Sequence, residues 1–92
     1  MKLDNQMCVH FIGICGSGMN VLAKYLKRFG FKVSGSDLNC GEVYKTLIDY
    51  GIDVKLSHSS KNVEGADIVV YSSAISENNV EFKTAIKLNK TL

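Results

Sequence analysis

Four short apolar runs alternate along the chain with segments whose apolar residues recur every three or four positions. The runs are rich in β-branched and aromatic residues and cover residues 7–12, 31–36, 52–56 and 67–71. Runs of this length and composition are typical of buried β-strands. The last run, DIVVY, is apolar almost throughout, which indicates a parallel strand covered on both faces.

Three amphipathic helices are predicted in the segments between and after these strands. They span residues 19–29, 42–50 and 77–89. Gly30 and Gly51 follow the first two and supply the left-handed residue that often ends a helix. The residues expected to face the sheet are Met19, Leu22, Ala23, Leu26 and Phe29 in the first helix, Val43, Leu47 and Ile48 in the second, and Phe82, Ala85, Ile86 and Asn89 in the third.

Strands that alternate with helices form βαβ units, and right-handed crossovers from a central first strand order the strands 3-2-1-4. The predicted fold is therefore an α/β, Rossmann-like, doubly wound parallel sheet in a single three-layer domain. The chain stops at residues 87–92, where a further strand would follow, so we expect a fragment of a longer protein or a trimmed domain. The fourth strand would then have a free edge, which would allow a homodimer.

Composition and charge narrow the classes of function. Eleven basic and nine acidic residues give a net charge of +2, and the basic residues are scattered, so no nucleic-acid partner is expected. No apolar stretch approaches the roughly 20 residues that cross a bilayer, and the N-terminus lacks a signal-peptide layout. We therefore expect a cytoplasmic protein with no membrane partner. Cys8, Cys15 and Cys40 have neither CxxC spacing nor a histidine pair, which predicts reduced thiols rather than a disulfide or a metal site.

A glycine-rich turn, GICGSGM at residues 13–19, connects the first strand to the first helix. Backbone N–H groups at a helix N-terminus can bind a phosphate, and glycines let the phosphate approach the backbone. Gly13, Gly16 and Gly18 provide that freedom here, although Cys15 replaces a glycine of the usual GxGxxG pattern. The turn predicts a phosphate-binding loop, with a tight turn that binds no ligand as the alternative.

Further candidate residues follow the other strands. Asp37 comes 19 residues after Gly18, near the spacing of the acid that binds a ribose hydroxyl in dinucleotide folds, but it could instead only shape the turn. The segment 72–74 follows the fourth strand with small residues that could contact sugar or phosphate. His58 lies in a polar loop without a second base, a carboxylate pair or a nucleophile beside it, so no catalytic residue is predicted.

Together, HFIGICGSGM, VSGSDL, the Gly51-Ile52 pair and GADIVVYSSAI resemble the N-terminal domain of the Mur ligases over about residues 10–81. Within that family the likeness is greatest to the enzyme that adds L-alanine. The resemblance implies a domain that binds the UDP part of UDP-N-acetylmuramate in peptidoglycan synthesis. It also implies a full-length enzyme that joins L-alanine to this substrate with ATP and Mg²⁺. The chain contains no GKT or GKS triplet, so the ATP-binding central domain and the C-terminal domain are expected to be absent.

The resemblance also assigns the UDP-sugar-binding residues. The domain is expected to span residues 1–92 and to bind without catalysing ligation or holding a cofactor or metal of its own. The residues that match the family's binding segments are Gly13, Ile14, Cys15, Gly16, Ser17, Gly18, Met19, Ser36, Asp37, His58, Ser72, Ser73 and Ala74.

Three positions depart from the family pattern. Cys15 stands where the loop usually has glycine, Ser57 replaces the glycine before the loop histidine, and Val80 replaces a proline that usually follows Asn79. A cysteine in the loop also occurs in the related ligase that recycles murein tripeptide, which is therefore an alternative within the family. Outside the family, an NAD-binding Rossmann domain and a sheet domain used only for association remain open.

Overall fold

The computed structural model describes residues 6–92, and its centre is a sheet of four parallel strands. The strands are β1 (Cys8–Ile12), β2 (Lys32–Ser36), β3 (Asp53–Lys55) and β4 (Ile68–Tyr71), in the order β3-β2-β1-β4. The helices are α1 (Ser17–Arg28), α2 (Val43–Asp49) and α3 (Val80–Lys87), with a short 3₁₀ helix at Ser60–Val63. The predicted order and fold class are confirmed.

Parallel register brings the carboxyl ends of all four strands to one edge of the sheet. Ile12 at the end of β1 pairs with Ser36 of β2 and with Tyr71 of β4, and Ser36 pairs with Lys55 of β3. The loops that follow these residues therefore lie side by side. In doubly wound sheets this edge is where ligands bind, at the point where the strand order reverses.

One face of the sheet is covered by α1 and α2. Buried residues on this side include Phe11 of β1, Ala23 of α1 and Leu47 of α2. The prediction that Leu22, Phe29 and Ile48 face the sheet was wrong, because they are 41%, 60% and 42% exposed. Each helix here touches the sheet along a narrow stripe, so apolar residues beside the stripe remain in solvent even though their spacing is helical.

The other face is covered by the 3₁₀ helix and α3. Val63 of the 3₁₀ helix and Ala85 of α3 are fully buried there, so the loop that was expected to be polar contributes to the core. Helix α3 begins at Val80, three residues later than predicted, because the side chain of Asn79 caps it by accepting hydrogen bonds from the first turn. Ile86 and Asn89 were wrongly expected to face the sheet and are exposed.

The residues after α3 return to the outer edge of β4. Thr91 forms a parallel bridge with Ile68, and the N–H of Val69 donates to the carbonyl oxygen of Thr91 at 2.7 Å. The position predicted for a further strand is thus occupied by an extended segment that covers part of the β4 edge. The homodimer stays a prediction. Within residues 6–92, no helix combines the length and the apolar character that a membrane span requires.

Candidate functional site at the carboxyl edge of the sheet

The glycine turn after β1 is fixed by hydrogen bonds to β2. Gly13 has a φ of +83°, a conformation that residues with a Cβ rarely adopt. The N–H groups of Gly13 and Ile14 both donate to the carbonyl oxygen of Ser36, at 2.8 and 3.1 Å. The Ile14 side chain is fully buried against Gly35, whose missing Cβ leaves it space. Gly13 and Ile14 therefore shape the turn from within the protein.

The first turn of α1 faces solvent with unpaired backbone donors. Gly16, Ser17 and Gly18 are exposed, and the first helical hydrogen bond within the described chain runs from the N–H of Asn20 to the carbonyl oxygen of Gly16. No side chain among residues 6–92 caps this helix, and its first turn contains no acidic residue. The N–H groups of Ser17, Gly18 and Met19 are consequently left available at the positive end of the helix dipole.

Asn20 stabilises this turn from the protein side. The sequence pattern did not predict this role. Its side-chain amide donates to the carbonyl oxygens of Gly16 and Ser17, at 2.9 and 3.0 Å. The side chain is almost fully buried. It therefore holds the loop carbonyls on the protein side of the turn, away from the exposed N–H groups.

Asp37 lies beside the glycine turn and shapes two loops at once. One carboxylate oxygen accepts from the N–H of Cys15 at 2.9 Å, and the other accepts from the N–H of Leu38 at 2.8 Å. The second contact is a local turn, which is the alternative role expected for this residue. The structure thus brings Asp37 to the loop at residues 13–19, as the strand order predicts.

The side chains of Ser36 and His58 are hydrogen-bonded to each other beneath the carboxyl edge of the sheet. The Ser36 hydroxyl is fully buried, donates to Glu81 at 2.7 Å and lies 2.9 Å from Nδ1 of His58. The His58 side chain keeps 17% of its surface exposed. Ser36 can therefore affect a ligand only through the side chains it positions, whereas His58 has a direct route to solvent.

Glu81 is the centre of a buried polar network that no pattern in the sequence predicts. Its Oε1 accepts from Nε2 of His10 and from Ser36, both at 2.7 Å. Its Oε2 accepts from the Asn62 amide at 2.8 Å and from the N–H of Ser59 at 3.0 Å. Burial alone would raise the pKa of Glu81. The hydrogen bonds from His10, Asn62 and Ser36, together with the charge of His10, outweigh burial and lower this pKa to about 2.

One signal in the sequence could have revealed this network. His10 lies in the middle of a strand that is buried on both faces, where a polar side chain requires a hydrogen-bond partner. The second nitrogen of its ring lies 2.8 Å from the Ser34 hydroxyl. The sequence does not identify the partner, because Glu81 is 71 positions away and appears as an ordinary helical carboxylate.

The Ser72–Ala74 segment forms a turn after β4. The N–H of Ala74 donates to the Ser72 hydroxyl at 3.3 Å, and Ser73 and Ala74 are exposed. Ile75, one residue further on, packs over Gly13, where an added Cβ would lie 3.3 Å from Cδ1 of Ile75. The turn therefore lies next to the start of the glycine loop, on the side opposite Asp37.

The prediction of three reduced thiols was wrong for two of them. Cys15 and Cys40 are joined by a disulfide, with their Cα atoms 5.1 Å apart, while Cys8 is free. The pairing could not be inferred from spacing, because the two residues are 25 positions apart. They meet because one lies after β1 and the other after β2, and these strands are adjacent and parallel.

A parallel sheet with a glycine turn, an uncapped helix N-terminus and a carboxylate at its carboxyl edge defines a Rossmann-like α/β domain. A family model described as "Mur ligase family, catalytic domain" matches residues 8–90, and the chain belongs to the Mur ligase family. The resemblance inferred from the sequence is thereby confirmed.

Individual relatives agree with this assignment. The chain is 48% identical over 80 residues to UDP-N-acetylmuramate–L-alanine ligase of Campylobacter jejuni strain 81-176, which covers 87% of this chain and 19% of the relative. The crystal structure of UDP-N-acetylmuramate–alanine ligase from Thermotoga maritima matches with a TM-score of 0.88 and 30% identity, over 94% of this chain and 20% of that one. A murein peptide ligase from Psychrobacter arcticus matches with a TM-score of 0.85 and 25% identity, over 92% and 18%. The chain thus spans about one fifth of the length of these relatives.

Proposed function

We propose that this chain binds the UDP part of UDP-N-acetylmuramate and is the N-terminal UDP-sugar-binding domain of a ligase that adds L-alanine in peptidoglycan synthesis. The observation that carries the proposal is the exposed, uncapped first turn of α1 beside Asp37. It occurs in a chain that is 48% identical to a UDP-N-acetylmuramate–L-alanine ligase. The exposed donors at this edge support the assignment that the family resemblance implies.

The pyrophosphate is assigned to the N-terminus of α1. The N–H groups of Ser17, Gly18 and Met19 are the donors that remain for an anion. Those of Gly13, Ile14 and Gly16 donate within the protein, and that of Cys15 donates to Asp37. The first half of the loop therefore fixes its shape, and the second half contacts the phosphates.

The uridine is assigned to the side of the loop where Asp37 lies. A carboxylate there can accept hydrogen bonds from ribose hydroxyls or from the N–H of the base. Next to Asp37 is an open hollow whose apolar walls are Leu38, Tyr44 and Leu56. Leu38 and Leu56 are 63% and 55% exposed, which leaves apolar surface that a planar base could cover.

The sugar is assigned to the opposite side of the loop, toward the Ser72–Ala74 turn, and His58, which follows β3 on the Asp37 side, is a further candidate contact for the ligand. His58 is held through Nδ1 by Ser36 and, at 3.4 Å, by Glu81, so its other ring nitrogen is the one that can reach a ligand. Ser73 and Ala74 are small and exposed, which leaves room beside the first residues of the loop.

ATP, Mg²⁺ and L-alanine belong to the part of the proposal that lies outside this chain. The chain has no GKT or GKS triplet, which the ATP-binding domain of the family is expected to carry. The 92-residue chain is therefore proposed to bind without ligating. Its location is proposed to be the cytoplasm, without a membrane or nucleic-acid partner.

Titration calorimetry of the 92-residue chain with UDP, UDP-N-acetylmuramate and NADH tests the proposal. We expect heat of binding with both uridine ligands and none with NADH. Binding of NADH without binding of either uridine ligand would instead support the NAD-binding alternative. Absence of binding to all three ligands would contradict the proposal for this chain.

Replacing Asp37 by alanine tests the assignment of the uridine. We expect Asp37→Ala to weaken UDP binding about tenfold, because one charge-assisted hydrogen bond contributes on the order of 1.5 kcal/mol. Asp53→Ala is the matched control, because this carboxylate is exposed at the start of β3, at the other edge of the sheet. Unchanged UDP affinity in Asp37→Ala, with a folded circular dichroism spectrum, would remove Asp37 from the site.

A second candidate is the ligase that adds a murein peptide instead of L-alanine. It is favoured by the cysteine in the glycine loop and by the structural match to the murein peptide ligase from Psychrobacter arcticus. Both candidates use the same UDP-sugar site, so binding to this chain does not separate them. A ligation assay of the full-length protein with L-alanine and with a murein peptide, which measures ADP release, would separate them.

A further inference from the structure

Two loops that the proposed function assigns to the nucleotide are joined covalently. Cys15 lies within the glycine loop after β1, and Cys40 lies after β2, shortly before α2. Both residues are partly buried at this edge of the sheet. Cys8, the remaining cysteine, is at the opposite end of β1 and is free.

The disulfide holds the two loops together beside Asp37. The N–H of Cys15 donates to Asp37 at 2.9 Å, so a loop donor and the carboxylate assigned to the uridine are paired with each other. A nucleotide that hydrogen-bonds to Asp37 must compete with the N–H of Cys15 for this carboxylate. The covalent bond between Cys15 and Cys40 holds Cys15 beside Asp37 and so favours the internal hydrogen bond over the one to the ligand.

We propose that Cys15 and Cys40 are a site of reversible oxidation, and that the disulfide weakens binding of the UDP-sugar. The second half of this proposal rests on the proposed UDP-sugar site, and the first half rests on the geometry of the two cysteines and on the proposed cytoplasmic location. Disulfides in cytosolic proteins are usually transient and redox-sensing. A cysteine pair located at a ligand-binding loop is therefore placed to regulate ligand binding rather than to stabilise the fold.

The chemistry is thiol–disulfide exchange with a low-molecular-weight disulfide such as oxidised glutathione. The thiolate of one cysteine attacks a sulfur of the external disulfide, forms a mixed disulfide and releases one external thiolate. The thiolate of the second cysteine then attacks the protein sulfur of the mixed disulfide and releases the other. The two protein thiols lose two electrons and two protons in total, and the external disulfide is reduced to two thiols. Reduction runs by the same steps in reverse.

The reduced pair would also offer ligands to a metal ion. The two sulfur atoms and a carboxylate oxygen of Asp37 lie within 4.8 Å of one another, and thiolates with a carboxylate are ligands that Zn²⁺ accepts. All samples in the test therefore contain a chelator, so that any difference between redox states comes from the sulfur–sulfur bond.

The first arm of the test measures the bond itself. The 92-residue chain is equilibrated with mixtures of reduced and oxidised glutathione, quenched with acid, alkylated and mapped by mass spectrometry. We expect a Cys15–Cys40 peptide pair whose fraction rises with the share of oxidised glutathione, while Cys8 is alkylated throughout. Alkylation of Cys15 and Cys40 in every mixture, or pairing of either with Cys8, would overturn the assignment.

The second arm measures UDP-N-acetylmuramate affinity by calorimetry in the fully oxidised and fully reduced chain. We expect the oxidised chain to bind at least about tenfold more weakly, the equivalent of one lost charge-assisted hydrogen bond. Cys40→Ser should bind like the reduced chain in both conditions, and Cys8→Ser should retain the difference. Equal or tighter binding by the oxidised chain would overturn the proposal that the disulfide weakens binding, and it would leave the proposed function intact.

Absence of binding of UDP-N-acetylmuramate in both redox states would overturn both the proposed function and the proposed effect of the disulfide. The first arm would still decide whether the disulfide forms.

Discussion

Replacing Glu81 by glutamine tests the buried network most directly, because the change removes the charge and keeps the size. Oε1 accepts hydrogen bonds from His10 and Ser36, and Oε2 accepts from Asn62 and Ser59 and has a longer contact of 3.4 Å with Nδ1 of His58. A glutamine has one oxygen and one NH₂ group. With its NH₂ in the place of Oε2, the amide faces the donors of Asn62 and Ser59 and leaves them unsatisfied in a fully buried position. With its NH₂ in the place of Oε1, His10 and Ser36 must reverse their hydrogen-bond roles.

The lowered pKa of Glu81 gives the size of its expected contribution to the free energy of unfolding. Glu81 titrates at about 2 in the folded chain, against a reference value of 4.5, and each unit corresponds to about 1.4 kcal/mol. The ionised carboxylate thus contributes on the order of 3 kcal/mol to the free energy of unfolding. Because the folded pKa is lowered, this contribution is fully present above about pH 4.5 and is lost as the pH falls toward 2.

Urea unfolding followed by circular dichroism, repeated between pH 7 and pH 2.5, provides the measurement. We expect Glu81→Gln to be less stable than the parent by about 3 kcal/mol at pH 7, and the difference to shrink below about pH 4.5. Glu77→Gln is the control, since this carboxylate is exposed, and should change stability by less than about 0.5 kcal/mol. A difference that is below about 1 kcal/mol at pH 7, or that stays constant across the whole range, would refute the reasoning.

Two further predictions concern single positions of the fold. Gly35→Ala should lower the free energy of unfolding in urea by about 2 kcal/mol or more, because the added Cβ would lie 2.6 Å from Cβ of Ile14. Gly65→Ala is the control, because its added Cβ meets nothing within 4 Å and should not lower stability. Equal stabilities of the two variants would contradict the packing of Ile14 against Gly35. Asn79→Ala should cost about 1 kcal/mol, since it removes the acceptor for two N–H groups of α3, and the exposed neighbour Asn78 supplies the control in Asn78→Ala. A loss of the same size in both asparagine variants would argue against the cap.

The layout of the fold could be predicted from the sequence because its strongest signals are local. Apolar runs of strand length and helices between them leave few topologies once crossovers are right-handed. The turn glycines Gly30 and Gly51 are likewise local signals, and both have positive φ in the structure. Exposure along the helices was harder to predict. Leu22, Phe29 and Ile86 have helical spacing, but how wide a stripe each helix buries depends on its distance and angle to the sheet.

The site could be predicted in part, for a related reason. The placement of Asp37 beside the glycine loop follows from strand order, so the sequence was sufficient for that contact. The Glu81 network and the bond between Cys15 and Cys40 join residues from different elements. Their formation depends on contacts made only after the sheet is assembled, and no spacing rule encodes those contacts. The sequence also did not indicate which loop N–H groups are engaged within the protein.

The contact between His10 and Glu81 has a consequence for the order of folding. The two residues are 71 positions apart, so the partner of a side chain in the first strand is supplied by the last helix. During synthesis His10 and Ser36 emerge before Glu81, so their hydrogen bonds to its carboxylate form only once α3 is present, although Ser34 and His58 can pair with them earlier. We therefore expect the buried network around Glu81 to be completed late in folding, together with α3, rather than as the first step of a growing sheet.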